Sequence, residues 1–146
     1  PDWRGAGMVA AVAGAIFAMT NLRTDAASRN LVEEYALTGL SLLQEGKLAE
    51  AETVLRTAIS LDDSSLAWDA LGLVLLRREI RRDALDAFQR AVYINQRNAT
   101  AWMHLGLAYQ FVGSRESALD AYRMALTITP ERAEAKQLLQ DALLRR

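Results

Sequence analysis

The sequence predicts an all-α protein: a solenoid of three helix-turn-helix repeats, closed by a C-terminal cap helix and preceded by an apolar N-terminal helix. Three observations carry this reading. First, Trp102, Leu105, Gly106, Tyr109, Ala118, Tyr122 and Ala125 are echoed upstream by Trp68, Leu71, Gly72, Leu75, Ala84, Phe88 and Ala91, and again by Tyr35, Thr38, Gly39, Leu42, Ala51, Leu55 and Ala58. The second and third sets lie 34 residues apart and the first and second 33, and a recurring unit of this length marks a stacked-repeat architecture. Second, the 146 residues include only two prolines and no cysteine, and are rich in Ala, Leu, Arg and Glu, which favour helix. Third, Gly, Asn and Ser stand between the periodic segments, where helices start and stop.

The first element is the apolar stretch Gly5 to Leu22, 18 residues without a charge between Arg4 and Arg23. That length is at the lower limit for crossing a bilayer. Gly7, Ala10, Ala11 and Gly14 give it a small-residue surface on which another helix approaches closely within lipid, and Trp3 suits the interface. Residues 1–22 are therefore read as a transmembrane anchor, single-pass. A cleaved secretory signal and a helix packed on the repeats or on a partner are the competing readings. Arg4, Arg23 and Arg29 are too balanced to set an orientation. Residues 23–30 read as a linker.

The repeats follow over 31–131, divided at about 32–64, 65–98 and 99–132. Asn30 or Ser28 opens a helix to about Glu45, and Gly46 turns the chain into a second from Lys47 to about Leu61. Ser64 or Ser65 caps the third, to about Arg78, and Arg81 starts the fourth, to about Ile94. Asn98 caps the fifth, to about Val112, and Gly113-Ser114 leads into the sixth, to about Ile128. The residue missing from the first period falls around Asp62-Asp63-Ser64-Ser65, where a turn tolerates a deletion. Pro130 is expected to open a last helix running to Arg146, and residues 132–146, polar at Glu134, Lys136, Gln140 and Asp141, suit a cap that solvates the open end of a repeat stack.

Each anchor has a task. At Gly39, Gly72 and Gly106, and at Ala51, Ala84 and Ala118, two helices are expected to cross so closely that a longer side chain would part them. Leu55, Phe88 and Tyr122, one turn after the alanines, interdigitate with these small residues. The first repeat departs most from the pattern, with Thr38 where Leu71 and Leu105 stand and Tyr35 in place of Trp.

Period and anchors together resemble the tetratricopeptide repeat (TPR) family, and the resemblance spans the chain from the first repeat to the cap. It implies a right-handed TPR solenoid whose first helices line a groove that takes a helix or an extended peptide. Aligned on the glycines, the groove side carries Ala36, Leu37, Leu40 and Leu43, then Asp69, Ala70, Leu73 and Leu76, then Met103, His104, Leu107 and Phe111. This surface is apolar and suits an apolar helix or peptide. Chaperone-binding members of the family grip a carboxylate terminus with Lys, Asn and Arg. At the matching positions this chain has Ala36 and Leu40, then Ala70, then Thr100 and His104, so that clamp is absent.

Polar residues point nowhere else. His104 is the single histidine and there is no cysteine, so a metal centre has no ligand set and none is expected; nor is any cofactor. No nucleophile pairs with His104, and no phosphate-cradling glycine loop is present, so an enzyme with a small-molecule substrate is not expected. Arg77, Arg78, Arg81 and Arg82 form a basic cluster at the turn of the second repeat, read as a solvated face, with anionic lipid as the sharper alternative. A formal net charge of −1 and the lack of interleaved aromatics argue against nucleic acid. The expected function is a membrane-tethered TPR scaffold, an assembly factor or accessory subunit of a membrane protein complex. A soluble or secreted adaptor or co-chaperone is the alternative.

Overall fold

Seven helices account for nearly all of residues 29–144, the part of the chain that the computed structural model describes. The first, α1, is helical over 29–44. It is followed by α2 (Leu48–Leu61), α3 (Ser65–Arg77), α4 (Arg81–Ile94), α5 (Ala99–Phe111), α6 (Arg115–Ile128) and α7 (Ala133–Leu144). The expected anchor over 1–22, with Gly7, Ala10, Ala11 and Gly14, lies outside the described residues. Among those described, no helix is long and apolar enough to cross a membrane.

The glycine anchors act as the sequence requires. A Cβ placed on Gly39 would stand 2.5 Å from Cγ of Leu55, and one on Gly72 would stand 2.5 Å from Cε1 of Phe88. On Gly106 it would run into the ring of Tyr122. Leu55, Phe88 and Tyr122 are all completely buried, so each repeat is locked by one large side chain seated on the bare backbone of its partner helix. Ala51, Ala84 and Ala118 are also completely buried beside them.

The turn inside each repeat is one motif used three times. Gly46, Glu79 and Gly113 adopt left-handed φ values of 78°, 62° and 82°. The amide that follows each reaches back to close the helix: Lys47 N–H to the Leu42 carbonyl, Ile80 to Leu75 and Ser114 to Tyr109, all at 2.9 Å. This is the Schellman closure, for which glycine is the natural residue. The second repeat forms it with Glu79, which stands at the position of those glycines.

Between repeats the caps differ. Ser64 Oγ accepts from the Ala67 amide at 3.4 Å, and Asn98 Oδ1 accepts from the Thr100 and Ala101 amides at 3.1 and 3.2 Å. Two expected boundaries move. Residues 29 and 30 belong to α1 rather than to a linker. Pro130 does not open the last helix: it sits in a turn with Glu131, and α7 begins at Ala133. The Arg132 amide bonds the Thr129 carbonyl at 3.2 Å, which holds that turn ahead of the helix.

α3 packs against α2, α4 and α5, while α6 packs against α5 and α7, as a repeat stack demands. α7 buries Ala135 and Ala142 against the third repeat and leaves Glu134, Lys136, Gln140 and Asp141 in solvent, which is what a cap does. Arg115 completes it, donating from Nε to the Ala142 carbonyl at 3.2 Å and from a terminal nitrogen to that of Leu143 at 2.8 Å.

Candidate partner-binding groove

The first helices of the repeats, α1, α3 and α5, present one side-chain row each to a common face. Toward the C-terminal ends of these helices the rows diverge around a cavity of about 340 Å³ lined by Leu43, Leu73, Leu76, Arg77 and Phe111. Phe111 is its most open member, 48% exposed, and the Arg81 guanidinium lies 5.8 Å from the centre of its ring. Four of the residues the sequence placed on a groove therefore meet here, joined by one it did not. Arg77 had been read as part of a solvated basic cluster; its neighbourhood makes the mouth of the cavity cationic.

The other groove residues lie elsewhere. Ala36 and Ala70 are completely buried, and Met103 is 2% exposed, so they belong to the packing between adjacent helices and offer no surface. Ala36, Asp69 and Met103 share the position three residues before the anchor glycine. That row points at the neighbouring helix, whereas Leu40, Leu73 and Leu107, one residue after the glycine, are half-buried and open. Placing both rows on one face overstated the width of the open stripe. Leu37 stands 55% exposed at the outer edge of the stack.

Asp69 is buried and His104 half-buried for a different reason. His104 Nδ1 lies 2.9 and 3.1 Å from the two carboxylate oxygens of Asp69, linking α3 to α5 across the second junction. The His104 ring also rests against Phe88, with centroids 5.7 Å apart and planes tilted by 48°. A buried carboxylate needs a partner, and the histidine supplies it. The same pair of positions at the first junction is Ala36 and Ala70.

Among the described residues, no free cation stands where the chaperone-type clamp would need one. Thr100 Oγ1 accepts from Arg132 at 2.6 Å, His104 is engaged by Asp69, and Ala36 and Ala70 are buried. Among the described residues, no group of three or more His, Asp or Glu is placed to hold a metal ion.

A known repeat family matches this arrangement: the tetratricopeptide repeat model aligns with residues 35–65 and 99–132. The chain belongs to the tetratricopeptide repeat family. The two matched segments are the first and third repeats, and the second supplies the same anchors between them. No curated protein matches the chain. Among solved structures, the second TPR domain of human RPAP3, determined with an HSP70 peptide, superposes with a TM-score of 0.73 at 18% identity, covering 80% of this chain and 98% of that one. The Arabidopsis OM64 TPR domain gives 0.74 at 18% identity, over 80% and 97%. A crystal structure of the MamA protein gives 0.69 at 31% identity, over 80% of this chain and 64% of that one. The RPAP3 and OM64 likenesses establish the fold. They leave open what this TPR chain binds.

Proposed function

We propose that this TPR interaction scaffold is tethered to a membrane by its apolar segment 5–22. On the α1, α3 and α5 face it holds an apolar helix or peptide of a partner, as an assembly factor or accessory subunit of a membrane protein complex. The observation that carries the reading is the cavity between Leu43, Leu73, Leu76 and Phe111, which is apolar where a peptide would lie and cationic only at Arg77 on its rim. The TPR fold takes peptides in related structures: the RPAP3 domain was solved with an HSP70 peptide. An acidic carboxyl terminus is a poor fit here, because the clamp positions carry Ala36, Leu40, Ala70, Thr100 and His104. Support for the tether is the uncharged length between Arg4 and Arg23.

Two measurements test the two halves separately. Full-length protein in native membranes should resist alkaline carbonate and be released once residues 5–22 are deleted; extraction of the intact chain would overturn the tether. Leu73→Glu with Phe111→Glu should abolish crosslinking to membrane partners while helicity by circular dichroism is retained. Unchanged crosslinks from that folded variant would overturn the groove.

A further inference from the structure

The opposite side of the stack carries a second opening that the groove does not explain. α2 and α4 both pack on α3, and between them lies a cavity of about 440 Å³. Its floor is Trp68, Leu71 and Leu75 from α3. Ile59 of α2 and Ala87 of α4 make the apolar sides, so the interior offers a large side chain a place to bury.

The equivalent residues at the next junction are different. Shifted by one repeat, the floor becomes Trp102, Leu105 and Tyr109, and the wall residue Arg56 becomes Gln89. There Gln89 Nε2 donates to the Tyr109 hydroxyl at 3.1 Å, a bond that ties α4 to α5. At the first junction Leu75 is too short to do this and Arg56 turns away to Glu52, at 2.7 Å. The first junction thus lacks the Gln–Tyr hydrogen bond that the second one has.

The lip decides what enters. Its two arginines are already neutralised: Arg56 by Glu52, and Arg90 by Asp63, with Arg90 also 5.2 Å from the centre of the Tyr93 ring. Its two carboxylates, Asp83 and Asp86, are exposed and have no hydrogen-bond or ion-pair partner among the described residues. Trp68 is held in place by its indole N–H, which donates to Asp63 Oδ1 at 2.5 Å. An apolar, tryptophan-floored pocket with unpaired negative charge at its edge is complementary to a large apolar side chain next to a cation.

We infer that this cleft is a second docking site, which takes a partner protein's segment carrying a large apolar residue beside lysine or arginine. It is independent of the groove on the other face. A second copy of the chain, whose exposed Leu143 and Leu144 precede Arg145 and Arg146, carries similar chemistry and is the competing occupant.

The test is a random-peptide phage library panned on the full chain in detergent, with selected peptides measured by fluorescence anisotropy. Enriched peptides should pair a large apolar residue with Lys or Arg. Arg56→Gln with Leu75→Tyr, a closed variant that puts a ring into the cleft and copies residues the second junction already carries, so that it should fold, is expected to weaken them about tenfold or more. Asp83→Asn with Asp86→Asn, on the surface, should do the same, and Leu73→Glu with Phe111→Glu should not. Absence of a basic apolar class, or a class that binds the closed variant unchanged, would overturn the site. Concentration-dependent self-association in sedimentation velocity, lost in the closed variant, would overturn the partner in favour of the second copy.

Discussion

The junction between the first and second repeats and the junction between the second and third are built on the same anchors and filled differently. On the inner side, two completely buried alanines, Ala36 and Ala70, meet at the first; at the second the same positions are Asp69 and His104, joined through a hydrogen bond. On the outer side, Leu75 lines a cleft at the first, and at the second the equivalent Tyr109 is hydrogen-bonded to Gln89. What is repeated sets distances between helices, and what is not repeated sets the chemistry of each surface. A TPR chain of this kind can vary the surface of each junction without disturbing the stack.

The largest expected effect tests the shared part. Gly72→Leu and Gly106→Leu should each cost about 3 kcal/mol in urea unfolding, because the new side chain meets the buried ring of Phe88 or Tyr122, which has no room to retreat. Similar losses in the second and third repeats are expected. A loss below about 1 kcal/mol at either would mean that the helices separate easily there and that the anchor is not rigid.

The next tests the unshared inner pair. His104→Ala should cost about 1–3 kcal/mol, since it leaves the Asp69 carboxylate, 6% exposed, without its partner. Asp69→Ala with His104→Ala moves the second junction toward the Ala36 and Ala70 arrangement and should cost clearly less than the two single changes together. Additive losses in the double-mutant cycle would show that the two side chains act separately.

A smaller effect is expected at the turns. Glu79 holds a left-handed φ of 62° where the other repeats use Gly46 and Gly113, so Glu79→Gly should stabilise the second repeat by about 0.5–1 kcal/mol. Gly113→Glu should destabilise the third by a similar amount. A neutral Glu79→Gly would show that the gain in backbone freedom of the unfolded chain offsets the relieved strain.

How legible all this is in the sequence follows from what is periodic. Three glycines, three small partners and three large ones recur, so the helices, the stack and the cap could be placed before any coordinates. Residues that depart from the period were harder. Leu43, Leu73, Leu76 and Phe111 do line one cavity, yet the spacing puts Ala36, Ala70 and Met103 on the same face although they are buried, because a spacing fixes the row of a helix and not how far the neighbouring helix covers it. The Asp69 and His104 bond spans two repeats and is invisible to local patterns. Its only trace is that two matched positions turn polar together. Glu79 could have been found by asking what stands where Gly46 and Gly113 recur. The cleft was likewise written in the exchange of Tyr109 for Leu75, which looks like an ordinary apolar substitution until the space behind it is seen.

The smallest expected effect concerns the charge that frames the cleft. The Trp68 indole N–H first, and the Arg90 guanidinium second, hold the Asp63 carboxyl below the usual carboxylate range. A carboxyl whose folded value is depressed stabilises the fold above the ordinary carboxylate pKa, and that contribution disappears as pH falls through the depressed value. Asp63 is exposed, so water screens the contribution and it stays small. Acidification should therefore release the Trp68 indole before the stack unfolds, seen as a shift in its fluorescence relative to a Trp102→Phe background in which Trp68 is the sole repeat tryptophan. Asp63→Asn should remove that early transition and leave the global one in place. Because no aspartate at the second junction holds Trp102, whose N–H instead donates to the Gln96 carbonyl at 2.9 Å, the matching Trp68→Phe protein should show no early step. An early step from Trp102 would mean that acid loosens both junctions alike and that the two differ in shape alone.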